Sequence, residues 1–238
     1  MSDRKETHMI GIIGAMDEEV NKLKEVLDNV TTETVAAMNF VKGTYAGKDV
    51  VIVRSGIGKV NAGICTQILA DRYNVSAIIN TGIAGSLKNE INIGDIVLSV
   101  DAIQHDVEAV AFGYAPGVIP RMETSTFTGD SKLIEIAKEA CKEACPEIGV
   151  HEGRVLTGDQ FISDKAVKNR LIEQFDGSCC EMEGAAIAQA AYLNNIPFII
   201  IRAISDKADD SANMDYPTFE AMAIDNSVKL MKCMLAKI

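Results

Sequence analysis

Short apolar runs alternate along this chain with segments whose apolar residues recur every three or four positions. Met9–Ile13, Val50–Val53, Ile78–Ile79, Ile96–Val100 and Phe198–Ile201 are brief and rich in β-branched residues. Runs of this kind suit strands buried on both faces, as in a parallel sheet lying under helices. Between them, Val20, Leu23, Leu27 and Val30 predict one helix, and Val60, Ile64 and Ile68 predict a second after the Gly58 turn. Leu133, Ile136 and Ala140 mark a third, residues 185–193 an Ala-rich fourth, and Thr218 to about Lys237 a long last one. Strand, helix, strand, helix is the pattern of an α/β protein.

No linker rich in Pro, Gly or Ser divides the 238 residues, so a single domain is expected over residues 9–238. Residues 1–8 are polar and read as a flexible leader or cloning remnant. They lack the apolar centre of a secretion signal, and no run approaches the ~18 apolar residues of a membrane span. Lys and Arg number 23 against 34 Asp and Glu, a net charge of −11 that argues against a nucleic-acid partner. The six cysteines include no Cys-x-x-Cys and read as reduced thiols of a cytoplasmic protein. None of the three histidines is spaced from another as metal ligands are, so no metal is expected. One segment breaks the rhythm. Residues 111–129 lack periodicity yet carry Phe112, Tyr114, Ile119 and Phe127, too apolar for an idle loop, and a lid or a subunit interface is the natural use.

Chemistry is expected where strands end. Three such ends are acidic: Asp17, Glu18 and Glu19 after the first run, Glu181 and Glu183 after Cys179–Cys180, and Arg202 with Asp206 after Phe198–Ile201. Singly, each has an ordinary reading as helix-dipole complement, solvated loop or ion pair. Together at one sheet edge they would repel, and repulsion needs a reason. Cleavage of a glycosidic bond supplies one. It passes through a cationic sugar, with one acid protonating the leaving group and one carboxylate activating water. The turns 55–59 (SGIGK) and 80–85 (NTGIAG) fit neither the dinucleotide fingerprint nor the P-loop, so no nucleotide cofactor is expected.

Eight segments sharpen this: GIIGAMDEEV (11–20), SGIGKVNAG (55–63), NTGIAGSL (80–87), GDIVLS (94–99), AFGY (111–114), TGDQFI (157–162), EMEGAAIA (181–188) and RAISDKAD (202–209). In this order, from Met9 to the C-terminus, the set resembles the 5′-methylthioadenosine/S-adenosylhomocysteine nucleosidases of the nucleoside phosphorylase superfamily. The resemblance implies a three-layer, single α/β domain whose central mixed sheet closes toward a barrel flanked by helices, assembled as a homodimer. It implies hydrolysis of the N-glycosidic bond of methylthioadenosine, S-adenosylhomocysteine and 5′-deoxyadenosine, in methionine salvage, with no cofactor. By resemblance Glu19 is the general base on water, Glu183 binds the ribose hydroxyls, and Asp206 protonates adenine at N7. Ser205 orients Asp206, and Arg202 helps hold the water and the acids, Glu181 among them. Phe161 stacks on adenine, whose edge the Ile162 backbone reads. Met16, Ile57, Ala84, Gly85 and Met182 line the pocket, and Tyr216 covers the thioalkyl arm. Phe112 and Pro120 reach that arm from the neighbouring subunit. The sequence departs from well-known members at Ile83, where they carry Ser, and at Tyr216, where they carry Phe. A phosphorylase or a futalosine hydrolase on the same scaffold is the rival reading, and a non-catalytic adenine-nucleoside binder is a more distant one.

Overall fold

The computed structural model describes residues 9–238, apart from the side chains of residues 213 and 214, so the leader expected over 1–8 lies outside the described residues. The chain runs β1 (Ile10–Gly14), α1 (Asp17–Lys24), β2 (Asp28–Val35), β3 (Met38–Tyr45), β4 (Lys48–Arg54), α2 (Lys59–Arg72) and β5 (Ala77–Ser86). It continues through β6 (Ile96–Gln104), β7 (Thr126–Thr128), α3 (Ser131–Ala144), β8 (Val150–Thr157), α4 (Lys165–Phe175) and β9 (Cys179–Glu181). The last elements are α5 (Gly184–Leu193), β10 (Phe198–Asp206) and α6 (Ala212–Lys237).

The sheet is mixed, and half of it closes on itself. β5 pairs with β10 in parallel, β10 with β6 antiparallel, β6 with β8 and β8 with β9 in parallel, and β9 returns to β5 antiparallel. These five strands form a ring. β1 leaves it from the other side of β5, followed by β4, β3 and β2, while β7 lies on β6. Strand periodicity explains why both faces are covered. Ile78 and Ile200 point into one core with Leu69 of α2 and Ile187 of α5, whereas Ile79, Ile199 and Ile201 point into another with Leu23 of α1, Leu133 of α3 and Met231 of α6. The result is the three-layer α/β domain expected. Among the described residues no helix is long and apolar enough to cross a membrane.

Four expectations need correction. The first helix stops at Lys24, and Val30 lies in β2. Asp28 and Asn29 break the helix, and the β-branched stretch VTTETV (30–35) favours a strand. In α2 the inward face is Ala62, Cys65, Thr66 and Leu69, while Val60 is 72% and Ile64 44% exposed. Small residues let α2 lie close to the Ala-rich α5, so Val60 and Ile64 face out, while Ile68 is partly buried against the core. The final helix starts earlier than Thr218, at Ala212. Lastly, the 111–129 segment is only partly loop: Phe127 in β7 is buried, its ring 5.7 Å from that of Tyr192. Ile119 also packs on the core, but Phe112 is 84% exposed.

Candidate active site

The ends of β1, β5, β9 and β10, the loop after β8 and the first turns of α6 surround a cavity of about 510 Å³. Glu19 enters it from α1. It sits three residues after the N-cap Met16, and its Oε2 turns back to accept the amides of Ala15 (2.6 Å) and Met16 (2.9 Å). This is the carboxylate half of a capping box, used here to fix a side chain in a cavity wall. Its Oε1 accepts the Ile83 amide at 3.3 Å. β5 can pass so near only because residue 82 is glycine: a Cβ there would lie 2.7 Å from Glu19 Oε1 and 3.2 Å from Arg202 Nη1. Burial raises the pKa of Glu19, against the opposing pull of Arg202 and the three amides.

The two acids of EMEG have different surroundings. Glu181 accepts the Thr157 hydroxyl on Oε1, and on Oε2 the amides of Glu183 (3.0 Å) and Gly184 (2.7 Å) together with the Arg202 guanidinium. Its oxygens border the cavity but are fully engaged. Glu183 accepts one bond, from the Gly58 amide at 2.8 Å. Burial, then the negative charge of Glu181, push its pKa up to about 8.

Asp206 closes the opposite wall at the end of β10. Its Oδ2 accepts the Ser205 hydroxyl (2.9 Å) and its Oδ1 the Ala208 amide (2.8 Å). Burial raises its pKa, and these two bonds only partly offset the rise. Phe161 and Tyr216 meet edge to face, ring centroids 5.8 Å apart, and form an aromatic corner. The Tyr216 hydroxyl donates to Glu220 at 2.9 Å.

The structure brings together Met16, Glu19, Ile57, Ala84, Gly85, Phe161, Ile162, Glu181, Met182, Glu183, Ser205, Asp206 and Tyr216, all of which line the cavity. Arg202 does not. It is 2% exposed behind the wall, with Nη2 on Asn80 and Glu181 and its Nε without a partner. Its expected hold on the acids is present at Glu181, while the arginine itself does not border the cavity that would contain the water. Phe112 and Pro120 are exposed and lie outside this chain's own cavity. Ala15, Gln160, Cys180 and Pro217 also line it and went unrecognised, although each adjoins an expected residue. Among the described residues lining the cavity none is Lys, Arg or His. A pocket with four buried carboxyl groups, one of them neutralised from behind by Arg202, and no cation in its lining suits proton transfer beside a developing positive charge and disfavours an anionic reactant.

A family model described as the phosphorylase superfamily matches residues 9–236. A 5′-methylthioadenosine/S-adenosylhomocysteine nucleosidase of Exiguobacterium sp. is 41% identical over 231 residues, covering 96% of this chain and 98% of that protein. Among solved structures, the nucleosidase of the same name from Neisseria meningitidis, in complex with methylthio-immucillin-A, superposes with a TM-score of 0.93 at 35% identity, covering 97% of this chain and 100% of that one. The futalosine hydrolase of Helicobacter pylori superposes with a TM-score of 0.92 at 32% identity, covering 98% and 100%.

Proposed function

The chain belongs to the phosphorylase superfamily and, within it, to the 5′-methylthioadenosine/S-adenosylhomocysteine nucleosidases, and we propose that its cavity hydrolyses the N-glycosidic bond of these nucleosides as follows. Adenine departs poorly as an anion. Asp206, whose pKa burial raises, gives a proton to the base as the bond breaks. Positive charge then grows on the ribosyl ring, and Glu19 and Glu183 stabilise it in their ionised forms, which for Glu183, with its pKa of about 8, is the smaller share near neutral pH. Glu19 takes a proton from the attacking water, and its raised pKa makes it a better base than an exposed glutamate. One water is consumed, and adenine and a free pentose leave. The proton received by Glu19 and the one lost by Asp206 balance through solvent. Glu183, with one backbone donor, has oxygen lone pairs left for the ribose hydroxyls, whereas Glu181 has spent its own.

The observation that carries hydrolysis over phosphorolysis is the absence of any cation among the described residues lining the cavity. A phosphate dianion needs converging Arg, Lys or amide donors. The two cations flanking the SGIG turn are engaged elsewhere, Arg54 with Asp17 (3.6 Å) and Lys59 with Asp106 (2.5 Å). The test is adenine release from methylthioadenosine in phosphate-free buffer. The reading expects an unchanged rate and free methylthioribose. A rate that vanishes without phosphate, or a pentose 1-phosphate product, would overturn it. Turnover of futalosine in preference to methylthioadenosine would move the protein to the rival hydrolase.

A second copy of the chain completes the site in this reading. The Lys59–Asp106 pair ties the start of α2 to the segment leading into residues 110–112, and Asn194 donates to Gln67 (2.8 Å), tying α2 to the end of α5. Val60, Ile64, Phe112 and Leu193 are all exposed, in or next to the elements that these bonds join. That apolar surface is suited to a homodimer in which Phe112 and Pro120 cover the partner's thioalkyl arm. The six unpaired cysteines, five of them buried, support a cytoplasmic location.

A further inference from the structure

We infer that Lys59, Asp106 and Asp159 form a closed clamp that holds the Gly58 amide on Glu183, which makes Asp106 a positioning residue for ribose capture although it does not line the cavity. The inference rests on the nucleosidase reading for what Glu183 binds.

Three loops meet at the clamp, those after β4, β6 and β8. The Lys59 amide donates to Asp159 Oδ1 (2.8 Å), the Asp159 amide to Asp106 Oδ2 (3.0 Å), and Lys59 Nζ to Asp106 Oδ1 (2.5 Å). The three bonds form a ring, and its ion pair is largely shielded, with side chains 18% and 16% exposed. Burial opposes ionisation of Asp106, yet the Lys59 ammonium and the Asp159 amide hold its pKa below the ordinary carboxylate range. Asp159 thereby caps α2 from a distant loop, because the N-cap Gly58 has no side chain to do so. Gly58 has φ +98°, a conformation that side-chain-bearing residues rarely adopt, and a Cβ there would lie 3.2 Å from Asp159 Oδ1. So two adjacent amides at one helix start meet two carboxylates. Lys59 meets Asp159 outside the cavity, and Gly58 meets Glu183 inside it.

The Gly58 amide is the one hydrogen-bond donor to the Glu183 carboxyl among the described residues. It favours the ionised form, against burial and Glu181. The charged groups facing Glu183 are Glu181, Arg202 and Glu19, none of which belongs to the clamp. His105, flanked by Asp106, Lys59, Glu181 and Arg170, has its pKa lowered by burial, so its titration lies on the acid side of that of Glu183. Opening the clamp lets Gly58 drift. Glu183 then loses its donor, and a larger share stays protonated near neutral pH.

The experiment is Asp106→Ala, with Asp106→Asn as a milder variant that retains one acceptor bond. Two readouts apply: the pH profile of kcat/KM for methylthioadenosine, and the Gly58 amide resonance of the ¹⁵N-glycine-labelled chain followed through pH. In the wild type the Gly58 resonance should titrate with Glu183. In Asp106→Ala the acid limb of kcat/KM should move up by about one pH unit, roughly a tenfold loss on that limb that falls mainly on KM. The Gly58 response should weaken or move with it, and Asp106→Asn should change both in the same direction by less. A folded variant with an unchanged acid limb and an unchanged Gly58 titration would overturn the clamp. A wild type that releases no adenine, with a Gly58 response still lost in Asp106→Ala, would remove the functional reading and leave the clamp standing.

Discussion

Arg202 makes its buried ion pair with Glu181 and not with Glu183, two residues further on. This divides the EMEG motif into a structural acid and a free one. Glu181 neutralises the arginine and organises the turn into α5 through the amides of Glu183 and Gly184. Glu183 is left with its lone pairs facing the cavity.

Arg202→Met should therefore damage the fold more than the substrate contacts. Removing one partner strands Glu181 beside the buried Glu19 and Glu183, a change typically costing about 3–5 kcal/mol. Adding Glu181→Met removes the stranded charge but leaves the amides of Glu183 and Gly184 without their acceptor, so it should recover only part of the stability and none of the activity. Chemical denaturation of the single and double variants checks both expectations. Equal stability in the wild type and Arg202→Met would show that the pair contributes nothing.

Asp206→Asn should lower kcat on adenine nucleosides by at least ~10²–10⁴-fold. The amide oxygen can still accept the Ala208 amide, so the fold should stay intact. A substrate with an activated leaving group, such as a 5-methylthioribosyl nitrophenolate, needs no proton and should lose far less. Equal losses on both substrates would take Asp206 out of the role of leaving-group acid.

Glu183 should show a stability signature opposite to that of an ordinary salt-bridged carboxylate. Its folded pKa, about 8, lies well above that of an exposed glutamate, about 4.3. Between these values the folded chain binds more protons than the unfolded chain, so stability falls as pH rises through this window. Glu183→Gln removes that dependence. The variant should gain Tm relative to wild type as pH goes from about 5 to above 8, by a few degrees, while its KM rises and its kcat falls. Glu19→Gln, which acts on water, should bind substrate and react slowly. Parallel Tm curves for wild type and Glu183→Gln would contradict the raised pKa.

Much of this was legible in the sequence. Apolar runs with polar ends located β1, β4 and β10, and the acidic ends of three segments located the cavity. The β2–β3 hairpin was not legible. Its two-residue turn is Ala36–Ala37, both at positive φ, where a reader looks for Asn or Gly. The inward face of α2 was also hidden, because its small residues carry less periodic signal than Val60 and Ile64. The position of Arg202 depends on tertiary packing: only in the fold do Asn80 of β5 and Glu181 of β9 converge on its guanidinium. The clamp escaped for the same reason, since Lys59, Asp106 and Asp159 stand far apart in the chain.

Phe112→Ser should separate the subunits if the exposed apolar side is a dimer surface. Phe112 is 84% exposed and makes no cavity contact in its own chain. Sedimentation should show a smaller species, and KM for methylthioadenosine should rise because the 5′ arm loses its cover. A monomeric variant with wild-type KM would show that the pocket is complete within one chain.

Gly82→Ala tests whether the position of Glu19 matters as much as its chemistry. The added methyl would lie 2.7 Å from Glu19 Oε1, closer than real Cβ contacts allow, and 3.2 Å from Arg202 Nη1. Neither neighbour can yield freely. Arg202 is pinned by Asn80 and Glu181, and Glu19 by the amides of Ala15 and Met16. Glu19 must then rotate away from the water it activates, or β5 must move away from β10. A shift of about 1 Å at a catalytic group can cost roughly 10²-fold in rate. The expected outcome is a folded protein with kcat reduced by about that factor and KM little changed, since the adenine and ribose contacts lie elsewhere in the cavity. If Gly82→Ala keeps wild-type kcat, the close packing of β5 on Glu19 is not what sets the base in place.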